Sequence, residues 1–230
     1  SSKRCNPWLR SAVANAAAAG SVFFLQLLLE DDKASTSLPS QLVLAATQRG
    51  QTEMVQYLVE KRELDVNAAH DRGAYPLLSA TLFGHLGVVS YLCKRAAFGA
   101  IGAFALAATM LQVELIQPLV HLCGVPPDSV FRPWFLDVEG DPPDSVLYLW
   151  HQNHTTTAMY IAAAEGNLRM VRALCELGAN INFELGPLRV TPLFLAVKNA
   201  RQEAVEAMVN VLGAKLRNSL GETALHRAAF

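Results

Sequence analysis

One short pattern returns four times along this chain, and it limits the possible folds more than any other feature. Around Gly50 it reads Leu44-Ala45-Ala46-Thr47-Gln48-Arg49-Gly50, followed by Val55, Leu58 and Val59. Around Gly84 it reads Ser79-Ala80-Thr81-Leu82-Phe83-Gly84-His85, followed by Val89, Leu92 and Cys93. Around Gly166 it reads Ile161-Ala162-Ala163-Ala164-Glu165-Gly166-Asn167, followed by Val171, Leu174 and Cys175, and around Ala200 it reads Leu195-Ala196-Val197-Lys198-Asn199-Ala200, followed by Val205, Met208 and Val209. Gly50 and Gly84 are 34 positions apart, as are Gly166 and Ala200. A fixed period of this size belongs to architectures built from stacked copies of one unit.

The physics of one unit can be read from Thr157 to Asn182. Ala162 and Ala163 are small enough to let two helices approach closely. Gly166 ends the first helix, because a residue without Cβ enters the left-handed region cheaply. Met170, Val171, Leu174 and Leu177 then recur at three- and four-residue steps and make the apolar stripe of a second helix. Gly178 stops that helix, and Asn180-Ile181-Asn182 leads into a turn. Such a unit is apolar on more than one side, so it buries its surface only by stacking on neighbours.

Six or seven units follow from this pattern. They span about 8–33, 40–69, 70–98, 101–124, 155–186 and 187–216, and a seventh begins at Asn218 and is cut at Phe230 after one helix. The first has Ala16-Ala17 before Gly20, with Leu25, Leu28 and Leu29 on its second helix. The fourth keeps Ala107-Ala108 and Leu119-Val120 but has no glycine at its inter-helix turn. A half unit at the end makes the chain read as a fragment of a longer protein, since a stack requires a finished cap.

These residues resemble the ankyrin repeat. Gly178-Ala179-Asn180-Ile181-Asn182 is similar to the family's terminal loop. Thr191-Pro192-Leu193 and Gly221-Glu222-Thr223-Ala224-Leu225-His226-Arg227-Ala228-Ala229 are similar to its helix-opening signature, and Asp71-Arg72-Gly73-Ala74-Tyr75-Pro76-Leu77 is the same opening with Tyr75 in place of Thr. The fold expected is an all-α ankyrin-repeat solenoid of about six to seven helix–turn–helix units. It forms one domain over 1–230, with four units in 1–124, an irregular insertion at 125–154 and the last units in 155–230.

The insertion breaks the period. It holds Pro-Pro-Asp-Ser-Val twice, at 126–130 and 142–146, together with Phe131, Trp134, Phe135, Tyr148 and Trp150. Proline excludes a continuous helix, while Asp-Ser after Pro-Pro can cap a short one. A long insertion in a compact array is functional or disordered as a rule, and this aromatic content argues against disorder. Two readings stand: the rings fill the gap left by the degenerate fourth unit, or they bind a partner.

Composition bounds the function. The chain has 230 residues, 52% of them hydrophobic, which suffices for an ordered core, and a formal net charge of −1. Its densest basic runs, Lys3-Arg4 and Lys61-Arg62, are too short for a nucleic-acid footprint. Cys93 and Cys175 fall at the slot held by Val59 and Leu29 in other units, so they read as buried small hydrophobes rather than ligands or disulfides. With four cysteines and no CxxC, the expectation is a cytoplasmic, reducing compartment. Ser11 to Leu29 approaches spanning length, but Asn15, Ser21 and Gln26 interrupt it, and unit register explains its alanines and leucines there and in Ala96 to Val113.

No chemistry-bearing motif emerges. There is no phosphate-binding glycine loop, HExxH or Gly-x-Ser-x-Gly. His151 and His154 form an HxxH beside Asn153, but further donors would have to come from His121 and Cys123, so the pair reads as a polar turn. Glu165 and Glu203 show no obvious pairing. His226 stands where the resemblance places a structural, turn-bonding histidine. The chain therefore reads as a non-enzyme with no cofactor and no metal.

What the resemblance implies is recognition through turn tips and the exposed side of the first helices, on a concave face. Carried over by register, the first-helix positions include Gln48, Arg49, Leu82, Phe83, Ala164, Glu165, Lys198 and Asn199, and the turn positions include Asp71, Arg72, Ala74, Leu188, Arg189 and Val190. Leu82 and Phe83 are apolar in a slot that commonly faces solvent. Arg49, Arg72 and Arg189 can grip an acidic peptide. Trp134, Phe135, Tyr148 and Trp150 are the insertion's contribution to partner binding. Asn182 is a position that an asparaginyl hydroxylase can modify in this family, or one that simply shapes its turn. The expected partner is a protein or peptide, with no nucleic acid and no membrane insertion. Ala14-Asn15-Ala16-Ala17-Ala18-Ala19-Gly20 resembles the start of ankyrin-type ligase receptors of the fem family. The alternatives are therefore the substrate-recruiting domain of a ubiquitin ligase adaptor, a regulatory ankyrin domain of a kinase or channel, or a bacterial effector.

Overall fold

The computed structural model describes residues 7–30, 41–67, 75–131, 155–187 and 189–224, and among them the chain forms twelve helices and no strand beyond isolated bridges. Its backbone divides into two compact units, residues 1–103 and 104–230. The first unit contains α1 (Pro7–Ala19), α2 (Val22–Glu30), α3 (Gln41–Gln48), α4 (Thr52–Glu60), α5 (Pro76–Leu82) and α6 (Leu86–Lys94), and ends in the opening turn of α7 (Ala100–Thr109). The second contains the rest of α7, then α8 (Val113–His121), α9 (Ala158–Glu165), α10 (Leu168–Glu176), α11 (Pro192–Lys198) and α12 (Gln202–Asn210).

Each helix pair is joined in the same way. The N–H of the residue after the turn reaches back to an alanine carbonyl five positions earlier: Ser21 to Ala16, Gln51 to Ala46, His85 to Ala80, Gln112 to Ala107, Asn167 to Ala162 and Arg201 to Ala196, at 2.8–3.1 Å. This bond closes the carbonyl end of the first helix in the manner of a Schellman cap. All six alanines are buried, and in α1, α3, α5, α9 and α11 a neighbouring first helix packs against the helix that carries them. The turn residue is left-handed in every case, with φ between 71 and 75° at Gly20, Gly50, Gly84 and Gly166. Leu111 takes the slot in the fourth repeat with φ 54°, and Ala200 takes it in the sixth with φ 53°. The fourth repeat therefore keeps its turn without glycine.

Within the first unit α1, α3 and α5 pack side by side, and α2, α4 and α6 form a second row against them. Met54, Val55 and Leu58 of α4 and Val88, Val89 and Leu92 of α6 are fully buried between the rows. Each such side chain stabilises the stack by about 1.5–3 kcal/mol relative to exposure. In the second unit α9 packs on α11 and α10 on α12, with α8 against α10. Met170, Val171 and Leu174 form the buried stripe of α10, at the spacing the sequence predicts.

The first Pro-Pro-Asp-Ser segment departs from expectation. Residues 126–130 form a turn, not a helix, and Asp128 caps nothing local. Its two carboxylate oxygens instead accept the Asn180 N–H at 2.9 and 3.1 Å, 52 residues on. Phe131 then pairs with Thr156 in an antiparallel bridge, each N–H bonded to the other's carbonyl at 2.9 Å. Leu185 and Val190 pair likewise at the next repeat, and Thr157 and Thr191 open the following helices. The insertion thus leaves and re-enters at a position where the next repeat has a four-residue tip, Gly186 to Arg189. Phe131, counted among the insertion's rings, is a core residue, edge-on to Phe104 at 6.4 Å. Residues 132–154, with the second Pro-Pro-Asp-Ser-Val, lie outside the described residues, as do Asp71 to Ala74, Leu188, His151, His154 and His226.

Cysteine usage also differs from expectation. Cys93 is buried, as its slot predicts, but it is disulfide-bonded, and so is Cys123. Cys175 is a free thiol, half-buried, with its pKa raised by burial first and by Asp128 and Glu176 next. Cysteine usage therefore gives no support to a reducing compartment.

Candidate functional site

The ends of the first helices are where stacking and exposure compete, and the turn geometry decides which side chains are left outward. At three turns the residue after the turn leans back over the turn of the preceding repeat. Gln51 covers Gly20, His85 covers Gly50 and Arg201 covers Gly166. A Cβ added to Gly50 would lie 2.6 Å from His85 Nδ1, and one added to Gly166 would lie 3.1 Å from Arg201 Cδ. His85 and Arg201 also close a last carbonyl of the helix beneath. His85 Nε2 donates to the Gln48 carbonyl at 3.0 Å. Arg201 Nε and Asn199 Nδ2 both donate to the Ala164 carbonyl at 3.0 Å. Gln48 and Ala164 hold the same place in their repeats, two residues before the turn.

Several sequence-predicted contact residues are therefore engaged in the stack. Asn199 bonds across the repeat boundary, and Glu165 pairs with Arg201 at 3.6 Å. Lys198 is exposed, yet packing around its amine lowers its pKa. Arg189 lies at a left-handed position, φ 50°, with Nε 4.0 Å from Glu184 Oε2, and its carbonyl accepts the Asn218 amide at 3.2 Å. Glu184 also accepts the Ser219 N–H and hydroxyl at 2.6 and 2.5 Å, and these bonds hold its pKa below the usual carboxylate value.

Other positions remain outward. Leu82 and Phe83 are 46% and 52% exposed, and Leu86, just past the turn, is 45% exposed. Phe83 stacks on the His85 ring with centroids 6.1 Å apart. Gln48 and Arg49 are exposed at the equivalent place one repeat earlier, and Arg49 makes no ion pair among the described residues. Arg72, Trp134, Phe135, Tyr148 and Trp150 fall outside the described residues.

The sequence reading missed a second set of cross-repeat bonds. Asn182 Oδ1 accepts the Lys215 N–H at 2.6 Å after its own N–H has bonded Asn180 Oδ1 at 2.9 Å. Asn67 repeats both bonds in the first unit: its Oδ1 accepts the Phe98 N–H at 2.6 Å, and its own N–H donates to Asp65 Oδ1 at 2.8 Å. Asp65-Val66-Asn67 against Asn180-Ile181-Asn182 is the signal that identifies the pair. Tyr160 is also missed: fully buried, it donates its hydroxyl to the Phe183 carbonyl at 2.8 Å and to the Val190 carbonyl. Desolvation drives its pKa far above the ordinary tyrosine value. In the first unit Glu60 accepts from Arg95 and, at 3.2 Å, from the Tyr91 hydroxyl, while the Arg95 guanidinium lies 5.4 Å from the Tyr91 ring centre. The Arg95 bond lowers the Glu60 pKa, but both groups are exposed, so the pair contributes little to stability.

No group of three or more His, Cys, Asp or Glu side chains suited to a metal ion occurs among the described residues. No helix among them is long and apolar enough to cross a membrane.

Comparison with known proteins follows this geometry. The family described as "Ankyrin repeats (3 copies)" matches residues 13–101, and the family described as "Ankyrin repeat" matches residues 156–184, together just over half of the chain. A curated ankyrin repeat protein of Rickettsia bellii (strain RML369-C) is 30% identical over 88 residues, 37% of this chain and 24% of that protein, so the match spans about a quarter of the relative's length. Among solved structures, the human ASB11 ankyrin repeat domain superposes with a TM-score of 0.63 at 22% identity, covering 96% of this chain and 90% of that one. A chain from the Bd0816 predatory endopeptidase of Bdellovibrio bacteriovorus in complex with immunity protein Bd3460 gives a TM-score of 0.58 at 17% identity, covering 87% of this chain and 97% of that one. At these identities the structural likeness establishes the fold.

Proposed function

Because the chain belongs to the ankyrin-repeat family, we infer that it is a protein-interaction module whose partner docks on the ends of the first helices. The observation that carries this reading is the exposure of Leu82, Phe83 and Leu86 around one turn. The equivalent ends in other repeats carry Ala18 and Ala19, Gln48 and Arg49, Thr109 and Met110, Ala164 and Glu165, and Lys198 and Asn199, of which Met110 alone is a large exposed apolar residue. A cluster of outward apolar side chains on a rigid stack marks an interaction surface. Little ordering entropy is lost when such a scaffold binds, because its turn backbone is already fixed by hydrogen bonds.

Gln48 and Arg49 extend this surface within the first unit. In the second unit Asn199 and Glu165 hold a turn, and the exposed Lys198 and Arg189 are proposed as partner contacts there. Arg72 and the aromatic residues Trp134, Phe135, Tyr148 and Trp150 are proposed as further contacts, the latter because their stretch of sequence lies between the bridged residues Phe131 and Thr156. Asn182 is proposed as a hydroxylation site, and a native protein whose Asn182 peptide lacks the mass of one added oxygen would refute this.

The test is affinity capture from cell lysate with the intact chain beside a Leu82→Asp/Phe83→Asp variant. Partners lost only from the variant support docking at this turn. The same partners in both lanes would move the site elsewhere on the molecule.

A further inference from the structure

We propose that the ends of α3 and α5 form a two-part docking site for a peptide carrying a carboxylate side chain and, about three residues away, a large apolar side chain. This deepens the interaction-module reading and rests on it. The apolar part is Leu82, Phe83 and Leu86, all exposed around Gly84. The cationic part is Arg49, at the equivalent turn one repeat earlier.

The His85 imidazole ties the two parts together. Its Nε2 is bonded to the Gln48 carbonyl and its ring lies against Gly50, so Arg49 stands between the two residues it touches. The same imidazole stacks with Phe83 at 6.1 Å. Phe83 and the backbone that carries Arg49 are thus held at neighbouring turns through one ring. Adjacent packed helices lie about 8–10 Å apart, and an extended chain advances about 3.3 Å per residue, which sets the three-residue spacing.

Charge complementarity selects the carboxylate. Arg49 is exposed and makes no ion pair with any described carboxylate, including Glu53 four residues on. Glu60 and Arg95, at the ends of the second helices α4 and α6, bind one another. Ala18 and Ala19 at the first turn add no charge. An exposed pair adds little affinity but fixes the register of a chain whose apolar side chain is held by Leu82, Phe83 and Leu86.

Random peptides displayed on phage and selected on the intact 1–230 chain test this, with parallel selections on Arg49→Glu and on Leu82→Asp/Phe83→Asp. Enriched peptides are then measured by fluorescence anisotropy, with Arg49→Ala and Phe83→Ala as milder variants and circular dichroism as the check on folding. The expected wild-type selection is Asp or Glu about three residues from Phe, Leu or Trp, with Lys or Arg replacing the acid on Arg49→Glu. Arg49→Ala should weaken the wild-type peptides by about three- to fivefold, and Phe83→Ala by about tenfold. Peptides whose preferences are the same on all three proteins bind elsewhere, which overturns this inference and leaves the module reading standing. Failure of the wild-type chain to enrich any peptide also overturns it, and the lysate capture decides the module reading separately.

Discussion

At Tyr160 one hydroxyl supplies two carbonyls of the hairpin that follows, from a ring with no exposure. Tyr160→Phe removes that donor while keeping the ring's packing. The expected loss is about 1–2 kcal/mol, read as a lower urea midpoint. The same residue fixes a pH dependence. Its folded pKa is raised above the ordinary 10.0, so the stability it provides is complete below pH 10.0 and falls above it, where the unfolded chain releases the proton first. Alkaline destabilisation should therefore be shallower in Tyr160→Phe than in the wild type when midpoints are followed from pH 9 to about 11. None of this was legible at the residue level. A tyrosine beside alanines reads as core, and its two acceptors lie 23 and 30 residues on.

The element that organises the molecule is the turn between paired helices. Gly50 combines φ 71° with a His85 ring that leaves no room for a Cβ, so Gly50→Ala should cost about 1–2 kcal/mol in a denaturant titration. Ala200 shows the converse, since it holds φ 53° with a Cβ already present. Ala200→Gly should change stability in the opposite direction, by a few tenths to about 1 kcal/mol. The turns were legible because glycine and the alanine before it mark backbone conformation directly, and even the fourth repeat's missing glycine was visible. The covering residues were not, because Gln51, His85 and Arg201 share no chemistry and act on a turn 31 to 35 residues earlier. The limits of the insertion were not legible either. The break in the period placed its start at 125, and the structure buries Val125 and Phe131 and bridges Phe131 to Thr156. Asp128 misled for the same reason: a capping sequence was recruited by a distant N–H.

For the whole molecule, membership of the ankyrin-repeat family and a likeness to ankyrin domain structures establish a stack of helix pairs built for recognition. The partition of its first-helix ends gives this general role a specific form. Some side chains hold one repeat to the next, and others face outward. The sequence made both classes look alike, since Asn199 and Gln48 occupy neighbouring slots and are polar in each case. Only the hydrogen bonds separate them. The most direct test measures partner affinity and unfolding midpoint together for two variants, Asn199→Ala/Arg201→Ala and Leu82→Asp/Phe83→Asp. The predicted result is a midpoint lowered by the equivalent of about 1–3 kcal/mol with affinity unchanged in the first. The second should keep its midpoint and lose affinity by about tenfold or more. Affinity lost through Asn199 and Arg201 but retained without Leu82 and Phe83 would contradict the account.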